Sequence, residues 1–520
     1  MPLVREQEVS GVAAVMTTVA MGLGSAVAVG DLRILAANIS LVRTGLGFSH
    51  GSTIFVSSLA TLTLAASVLG AGVLGDRYGM KRMFVAGAWG AVAFGLLGAL
   101  APNTVVLMIA RAGIGVALAF LSGLSLAIMN AVFAPERRAR AIAWFLAAVY
   151  VFGVLPGTVG SLLAEHFGWR SGLLVTPVLA ILVVVITLRY VPETASSHRR
   201  TDIPGLLLVA TALVGVTYGI SGLQTGVNPA ALIPILIGLL AGAAFIWWEL
   251  RCDDPALDLR IFGSPRFNAV VSAGAANNLV QGGSMTMVTF YLIAVRDLST
   301  WEFALLLIPA TLVSALGAVV AGRAAVRFGN CVVVVAGLVV LAVSLLVRLS
   351  FRIDTPIAFV GAVIALTMIG GAILQTPQTT VMMSSAPTNL GGVVSAVKAS
   401  VGGTFYAFGA ALFSIFGLLL IVRDIGPKLA DAGVSLEQAG DILSASTSAG
   451  ESGALGLDPQ LVAWVVSEAS SSTIDAARVL NLTMMLVPVV AIVIVLALFR
   501  RERATLDTVS TTGTSHRTLR

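Results

Sequence analysis

Charge is scarce in this chain: Asp, Glu, Lys and Arg together make up 11% of its 520 residues. A soluble domain carries about one-quarter charged residues, so an ordinary water-soluble fold is excluded. Cysteine is rarer still, with Cys252 and Cys331 the only two. Both fall at segment ends expected to face the cytoplasm, which points to free thiols and no disulfide. There are four histidines, and no Cys/His metal spacing, no H-E-x-x-H and no G-x-x-x-x-G-K-[ST] phosphate loop. Zinc chemistry and ATP hydrolysis are therefore not expected, nor any metal site, cofactor or catalytic domain.

What is abundant is apolar sequence: 57% of residues are hydrophobic, and the mean hydropathy is +0.98. Runs near twenty residues, the length that crosses roughly 30 Å of hydrocarbon, recur from end to end. The pattern predicts an all-α polytopic membrane protein. Barrels are excluded, since their segments are about ten residues long and alternate in polarity. The apolar segment after "MPLVREQEVS" is too long for a signal peptide's core, so it is expected to remain as a helix.

Fourteen candidate spans lie at 11–41, 52–75, 83–101, 104–130, 140–164, 171–191, 204–224, 230–250, 267–295, 302–324, 331–350, 356–383, 391–422 and 476–500. With the N-terminus inside, and charges at span ends counted with the loops they adjoin, cytoplasmic segments hold 20 of the 31 Lys/Arg and external segments hold eight. That asymmetry places both termini in the cytoplasm. It also accounts for the net charge of +6 without nucleic acid. The segment 423–475 becomes the one long external loop, in which "SLEQAGDILS" and "PQLVAWVVSEAS" each suit a short amphipathic helix. Residues 501–520 read as a disordered cytoplasmic tail.

One loop is different. "GVLGDRYGMKR", residues 72–82, gathers Asp76, Arg77, Lys81 and Arg82 around Gly72, Gly75 and Gly79. The glycines permit a tight turn and close helix approach. The charges can meet helix ends and acids of a neighbouring bundle, forming a conformational gate that holds one face closed. An ordinary positive-inside loop would explain the basic residues but not the Gly/Asp spacing.

This stretch resembles the loop 2–3 signature of the major facilitator superfamily, G-x-L-x-D-R-x-G-x-[KR]-[KR]. A weaker copy, "AGRAAVRFGNC" (321–331), keeps Gly322, Arg323, Arg327 and Gly329, with Val326 at the position of Asp76. "RAGIGVALA" (111–119) resembles the fourth-helix motif, with Arg111 at its arginine. "VFGVLPGTVGSLLAEHFGWR" (151–170) resembles the fifth-helix antiporter motif through Pro156, Gly157 and Gly160, although Leu155 and Val159 depart from it. "TDIPGLLL" (201–208) and "WWELRCDDPALDLRIF" (247–262) resemble the flanks of the helix pair inserted in fourteen-helix drug:proton antiporters. Asp31 stands at the acid of the first-helix motif, where Arg33 and Ser40 are unusual.

The resemblance implies two six-helix repeats, 1–191 and 267–500, joined by 192–266 with two extra helices. It further implies a monomeric, multi-pass protein of the cytoplasmic membrane that moves a small molecule in exchange for protons. Asp31, the sole acid deep in a span, is then a proton-coupling site with Arg111, or else a carboxylate that only pairs with a base. Lys398 can hold an anion or snorkel. With Asp31 neutralised by Arg111, Arg33 and Lys398 leave the cavity positive, favouring anionic or amphipathic substrates. Asn277, Gln281, Gln375 and Gln378 can hydrogen-bond a substrate or tie helices together. Tyr406 can line the same cavity or simply pack. The expected function is proton-coupled export of a hydrophobic or amphipathic compound. The alternatives are an uptake permease, an exporter of an endogenous lipid or metabolite, and a non-transporting receptor or assembly partner.

Overall fold

The computed structural model describes residues 11–47, 50–194, 202–223, 228–252, 255, 257, 259–296, 298, 300–385, 391–435, 438–440, 442–443 and 459–515. Among them all regular structure is helical. The chain opens with α1 (Gly11–Leu46), α2 (His50–Tyr78), α3 (Met80–Ala99), α4 (Thr104–Val132) and α5 (Pro135–Phe167). A short α6 (Trp169–Leu173) leads into α7 (Val175–Tyr190), and together they make the sixth span. A pair, α8 (Ile203–Gly222) and α9 (Pro229–Glu249), separates this set from α10 (Pro265–Phe290), α11 (Thr300–Phe328) and α12 (Asn330–Val347). The last three are α13 (Ile357–Ser384), α14 (Gly391–Asp431) and α15 (Pro459–Ser515).

Local chemistry explains several boundaries. The side chains of Asn103 and Asn228 accept the backbone N–H of Val106 and Ala231, capping α4 and α9. Pro229 and Pro265 occupy first turns, where a missing N–H costs nothing. Gly79 and Gly329 sit at matching places in the two motif copies, directly before α3 and α12. Their φ angles, +99° and +87°, lie in the region that only glycine adopts freely.

The shared turn belongs to a larger repetition. α1 packs on α4, α5 and α7, α2 on α4, and α3 on α4 and α7. In the second set α10 packs on α13, α14 and α15, α11 on α13, and α12 on α13 and α15. Across the sets, α5 meets α11 and α14 meets α2, as an approximate twofold relation requires. The α8–α9 pair rests against α2 and α14.

Lipid is as apolar as leucine, so small residues rather than hydrophobic burial bring such helices together. A Cβ on Gly215 of α8 would stand 2.6 Å from the Pro234 carbonyl oxygen of α9, and one on Gly337 of α12 would stand 2.8 Å from Leu374 of α13. Leu236, Leu239 and Leu240, by contrast, point outward.

Thirteen helices among the described residues are long and apolar enough to span a membrane, one fewer than the fourteen expected. The long helix missing from that set is α10, in the expected ninth span, which carries Asn268, Asn277, Asn278 and Gln281 in 26 residues. It gives way at Tyr291–Val295 to a π-helical turn.

Two further expectations are corrected at the C-terminal end. α14 continues unbroken to Asp431, and "PQLVAWVVSEAS" is the first part of α15 rather than a separate short helix. The reason is packing: Ile425 and Leu429 of α14 share a small core with Val434, Ala439, Ile442, Val465 and Ala469. Lys428 also pairs with Asp424 and Glu468. In "SLEQAGDILS", residues 438–440 and 442–443 are helical, and Leu436, Glu437, Asp441 and Ser444 lie outside the described residues. α15 itself runs on from the membrane span to Ser515.

Candidate functional site

Two charged constellations stand out, one between the halves and one within the first. At the end of α2, the Asp76 carboxylate accepts the backbone N–H of Gly392 at 2.9 Å and of Val393 at 3.1 Å. These are orphan donors of the first turn of α14, where the helix dipole favours a negative charge. Gly72, one turn earlier, lets the helices approach: a Cβ there would lie 2.6 Å from the Gly392 carbonyl oxygen. Gly75 serves α2 and α4 in the same way, with Leu124 filling the space.

The basic residues of this loop turn elsewhere. Lys81 and Arg82 each lie 3.6 Å from Glu193, just past α7, and the Lys81 N–H donates to Thr194 Oγ1. Arg77 covers the Tyr78 ring. The cluster thus divides, with Asp76 reaching α14 and Lys81 and Arg82 reaching the start of the connector that follows α7. Sequence reasoning singled out the loop but not Glu193 or Gly392.

The second constellation is sealed from solvent. Asp31 of α1 is 1% exposed and Arg111 of α4 is 3% exposed, and Arg111 Nη1 donates to Asp31 Oδ2 at 2.7 Å. Thr176 of α7 donates to Asp31 Oδ1, also at 2.7 Å. Arg111 Nε and Nη2 are buried with no acceptor. Three helices therefore meet at one carboxylate. Thr176, in an apolar run, gave no sequence signal.

The motif residues of α5 pack against the helix that carries Asp31. A Cβ on Gly30 would collide with the Pro156 ring, and one on Gly160 would meet Ile34 at 2.7 Å. Gly157 faces the Arg33 side chain. Pro156, Gly157 and Gly160 thus set the α1–α5 contact next to Asp31.

The polar candidates of the second half separate into two groups. Asn277 and Gln281 of α10 and Gln378 of α13 lie within the α10–α13 contact. Asn277 and Gln281 cover Gly371, Gln378 covers Gly274, and Gln281 Nε2 donates to the Thr367 carbonyl at 3.4 Å. Both amide atoms of Asn277 are buried without partners.

Gln375 instead crosses to the first half, donating to the Tyr150 hydroxyl at 3.4 Å. Arg33 is within electrostatic reach of Tyr406 on α14, across the halves. Lys398 is half-buried on α14, and neither it nor Arg33 has an acid partner among the described residues. Arg348, buried beyond α12, is a further deep cation that sequence reasoning placed at a span end and did not single out. No group of three or more metal-ligating side chains occurs among the described residues.

Comparisons with known proteins agree with this architecture. The chain is 29% identical over 394 residues to the multidrug resistance protein Stp of Mycobacterium tuberculosis, covering 74% of this chain and 72% of that one. It is 27% identical over 451 residues to the multidrug efflux pump LfrA of Mycolicibacterium smegmatis, covering 86% and 88%. The crystal structure of the human organic anion transporter MFSD10 superposes with a TM-score of 0.56 at 13% identity, over 92% of this chain and all of that one. The family profile described as Major Facilitator Superfamily matches residues 21–414, and the chain is a multi-pass membrane transporter belonging to that superfamily.

Proposed function

We propose that this transporter exports a small hydrophobic or amphipathic compound in exchange for protons. Residues 1–191 and 267–500 rock about a midplane site, with the inserted pair between them and both termini in the cytoplasm. The single observation that carries this reading is the Asp31–Arg111–Thr176 cluster. An ionisable pair deep in a membrane bundle is costly and is found where function needs it. Here it sits beside the α1–α5 contact, so a shift of α5 against Gly30 would reach it.

In this reading the Asp31 carboxyl is paired with Arg111 in one arrangement of the halves and carries the transported proton in the other. Alternation between those arrangements couples proton movement to the rocking of the halves. At about 2.3 kcal/mol per charge per 100 mV, one proton per cycle sustains substantial substrate accumulation. The gate is the Asp76 contact, which closes the face carrying the α2–α3 loop.

Substrate charge follows from the cations left over. Asp31 is already committed, whereas Arg33 and Lys398 have no acid among the described residues. A neutral or anionic amphiphile supplies what they lack, with Gln375 and Tyr406 lining its path. Export, rather than uptake, follows the multidrug resistance and efflux roles in the names of the relatives. Flux of candidate amphiphiles in proteoliposomes with an imposed pH gradient tests the whole reading. Gradient-dependent accumulation supports it, and binding without flux points to a receptor.

A further inference from the structure

The cap that Asp76 makes where α2 meets α14 has no counterpart at the twofold-related seam, where the end of α11 meets the start of α5. Val326 stands in the place of Asp76 and is 79% exposed. The backbone donors are gone as well. Gly322, the counterpart of Gly72, packs on Ala139 and Ala143, with a Cβ there falling 2.6 Å from that of Ala143. Ala139 lies a full turn inside α5, whereas Gly392 lies in the first turn of α14. The N–H groups that face Gly322 are therefore already bonded within their helix.

What stands at this seam is arginine. The two helices run antiparallel, since the last turns of α11 lie on the first turns of α5. Counted from the Gly322–Ala139 contact at about 100° per residue, Arg140 of the first half and Arg323 of the second project to the same side. Arg327, one turn past Arg323, continues that side, and all three are exposed. α13 fills the opposite side, where Thr376 donates to the Ala318 carbonyl. Glu136 stands one turn before Arg140, yet none of the three arginines makes an ion pair among the described residues. Apolar surface continues from these charges. Leu312 and Leu316 lie three and two turns before Arg323 on the same face, Trp144 lies one turn past Arg140, and all three are exposed.

We propose that this seam binds the headgroup of an anionic phospholipid, whose phosphate bridges Arg140 and Arg323. Guanidinium groups from opposite halves repel when this face closes, and a phosphate offers paired acceptors to each of them. A basic site between membrane helices, at the level where they leave the hydrocarbon, suits a lipid headgroup. The exposed leucines and Trp144 give its acyl chains a surface, which a soluble phosphate would not use. The lipid then does at the second seam what Asp76 does at the first, holding the halves together. The site uses none of the residues assigned to protons or substrate, so it stands whether or not proton exchange does.

The test is thermal unfolding of the purified full chain in a neutral detergent with added dioleoyl phosphatidylglycerol. The reference is an equal amount of the phosphatidylcholine with the same chains. Phosphatidylglycerol is expected to raise the wild-type midpoint by about 2 °C or more over that reference. Arg140→Gln combined with Arg323→Gln is expected to lose the difference. Arg137→Gln combined with Arg500→Gln removes the same charge elsewhere and is expected to keep it. Glu136→Gln, which removes a competing carboxylate, is expected to enlarge it and keeps the test decisive if the first pair does not fold. Equal wild-type midpoints in the two lipids would overturn the assignment. So would a difference that survives in Arg140→Gln, Arg323→Gln, is lost in the control pair, or fails to grow in Glu136→Gln. An equal rise with inorganic phosphate at matched ionic strength would mark a site for a free anion and overturn the lipid assignment as well.

Discussion

The carboxylate of Asp76 and the backbone of Gly392 are 316 positions apart in sequence and 2.9 Å apart in space. With Val393 at 3.1 Å, they form a two-pronged helix cap between the two halves of the molecule. A charge-assisted cap of this kind contributes about 1–2 kcal/mol, enough to shift a two-state balance roughly tenfold. Asp76→Asn can accept only one of the two bonds and carries no charge. Its turnover is predicted to fall about tenfold while the protein stays folded and monodisperse. Wild-type turnover in that variant would show that the cap does not govern the cycle.

The same contact depends on the absence of a side chain at Gly72. A Cβ there would lie 2.6 Å from the Gly392 oxygen and 2.9 Å from the Ala396 Cβ, and a helix backbone cannot yield by that much. Gly72→Ala is predicted to hold the two halves apart on this face. The check uses a Cys252→Ser, Cys331→Ser background with Ser395→Cys, a buried position one turn into α14. Maleimide labelling is expected to be several-fold faster when Gly72→Ala is added. An unchanged rate would mean that α2 and α14 separate without steric help.

Parts of this arrangement were legible in the sequence for reasons that the geometry makes plain. Gly72, Gly75 and Gly79 were visible because backbone approach and a positive φ leave a compositional mark. Asp31 was visible because a deep acid is rare. Partners that are backbone atoms or common hydroxyls left no such mark, so Gly392, Thr176 and the Thr367 contact of Arg348 emerged only in three dimensions. The continuation of α14 through 423–431, and of 459–470 into the last span, was hidden for another reason. Its apolar stripe is interrupted by charges such as Asp424, Lys428 and Glu468, which pair with one another rather than face water alone.

Arg111 and Asp31 are predicted to act as a unit in stability as well. Removing one member of a buried ion pair leaves an uncompensated charge and costs about 3–5 kcal/mol. Arg111→Ala alone should therefore be strongly destabilised, and Asp31→Asn combined with Arg111→Ala should recover a substantial part of the loss. Thermal unfolding of the two single variants and the double variant measures this coupling. Additive losses would mean that the two side chains contribute independently.

Substrate charge can be read from Lys398, which has no partner on α14 or on the helices around it among the described residues. Lys398→Ala is predicted to reduce transport of anionic amphiphiles about tenfold and to leave neutral compounds little changed. Competition between anionic, neutral and cationic amphiphiles of matched size gives the comparison. Preference for lipophilic cations in the wild type would contradict a positively charged cavity.

The central claim is that Asp31 carries the transported proton, and flux driven by a pH gradient in proteoliposomes tests it most directly. Asp31→Asn keeps the shape of the side chain and the bond from Thr176 while removing the titrating group. The prediction is that substrate binding persists in this variant and gradient-driven transport is abolished. Undiminished gradient-driven transport by folded Asp31→Asn would contradict the account.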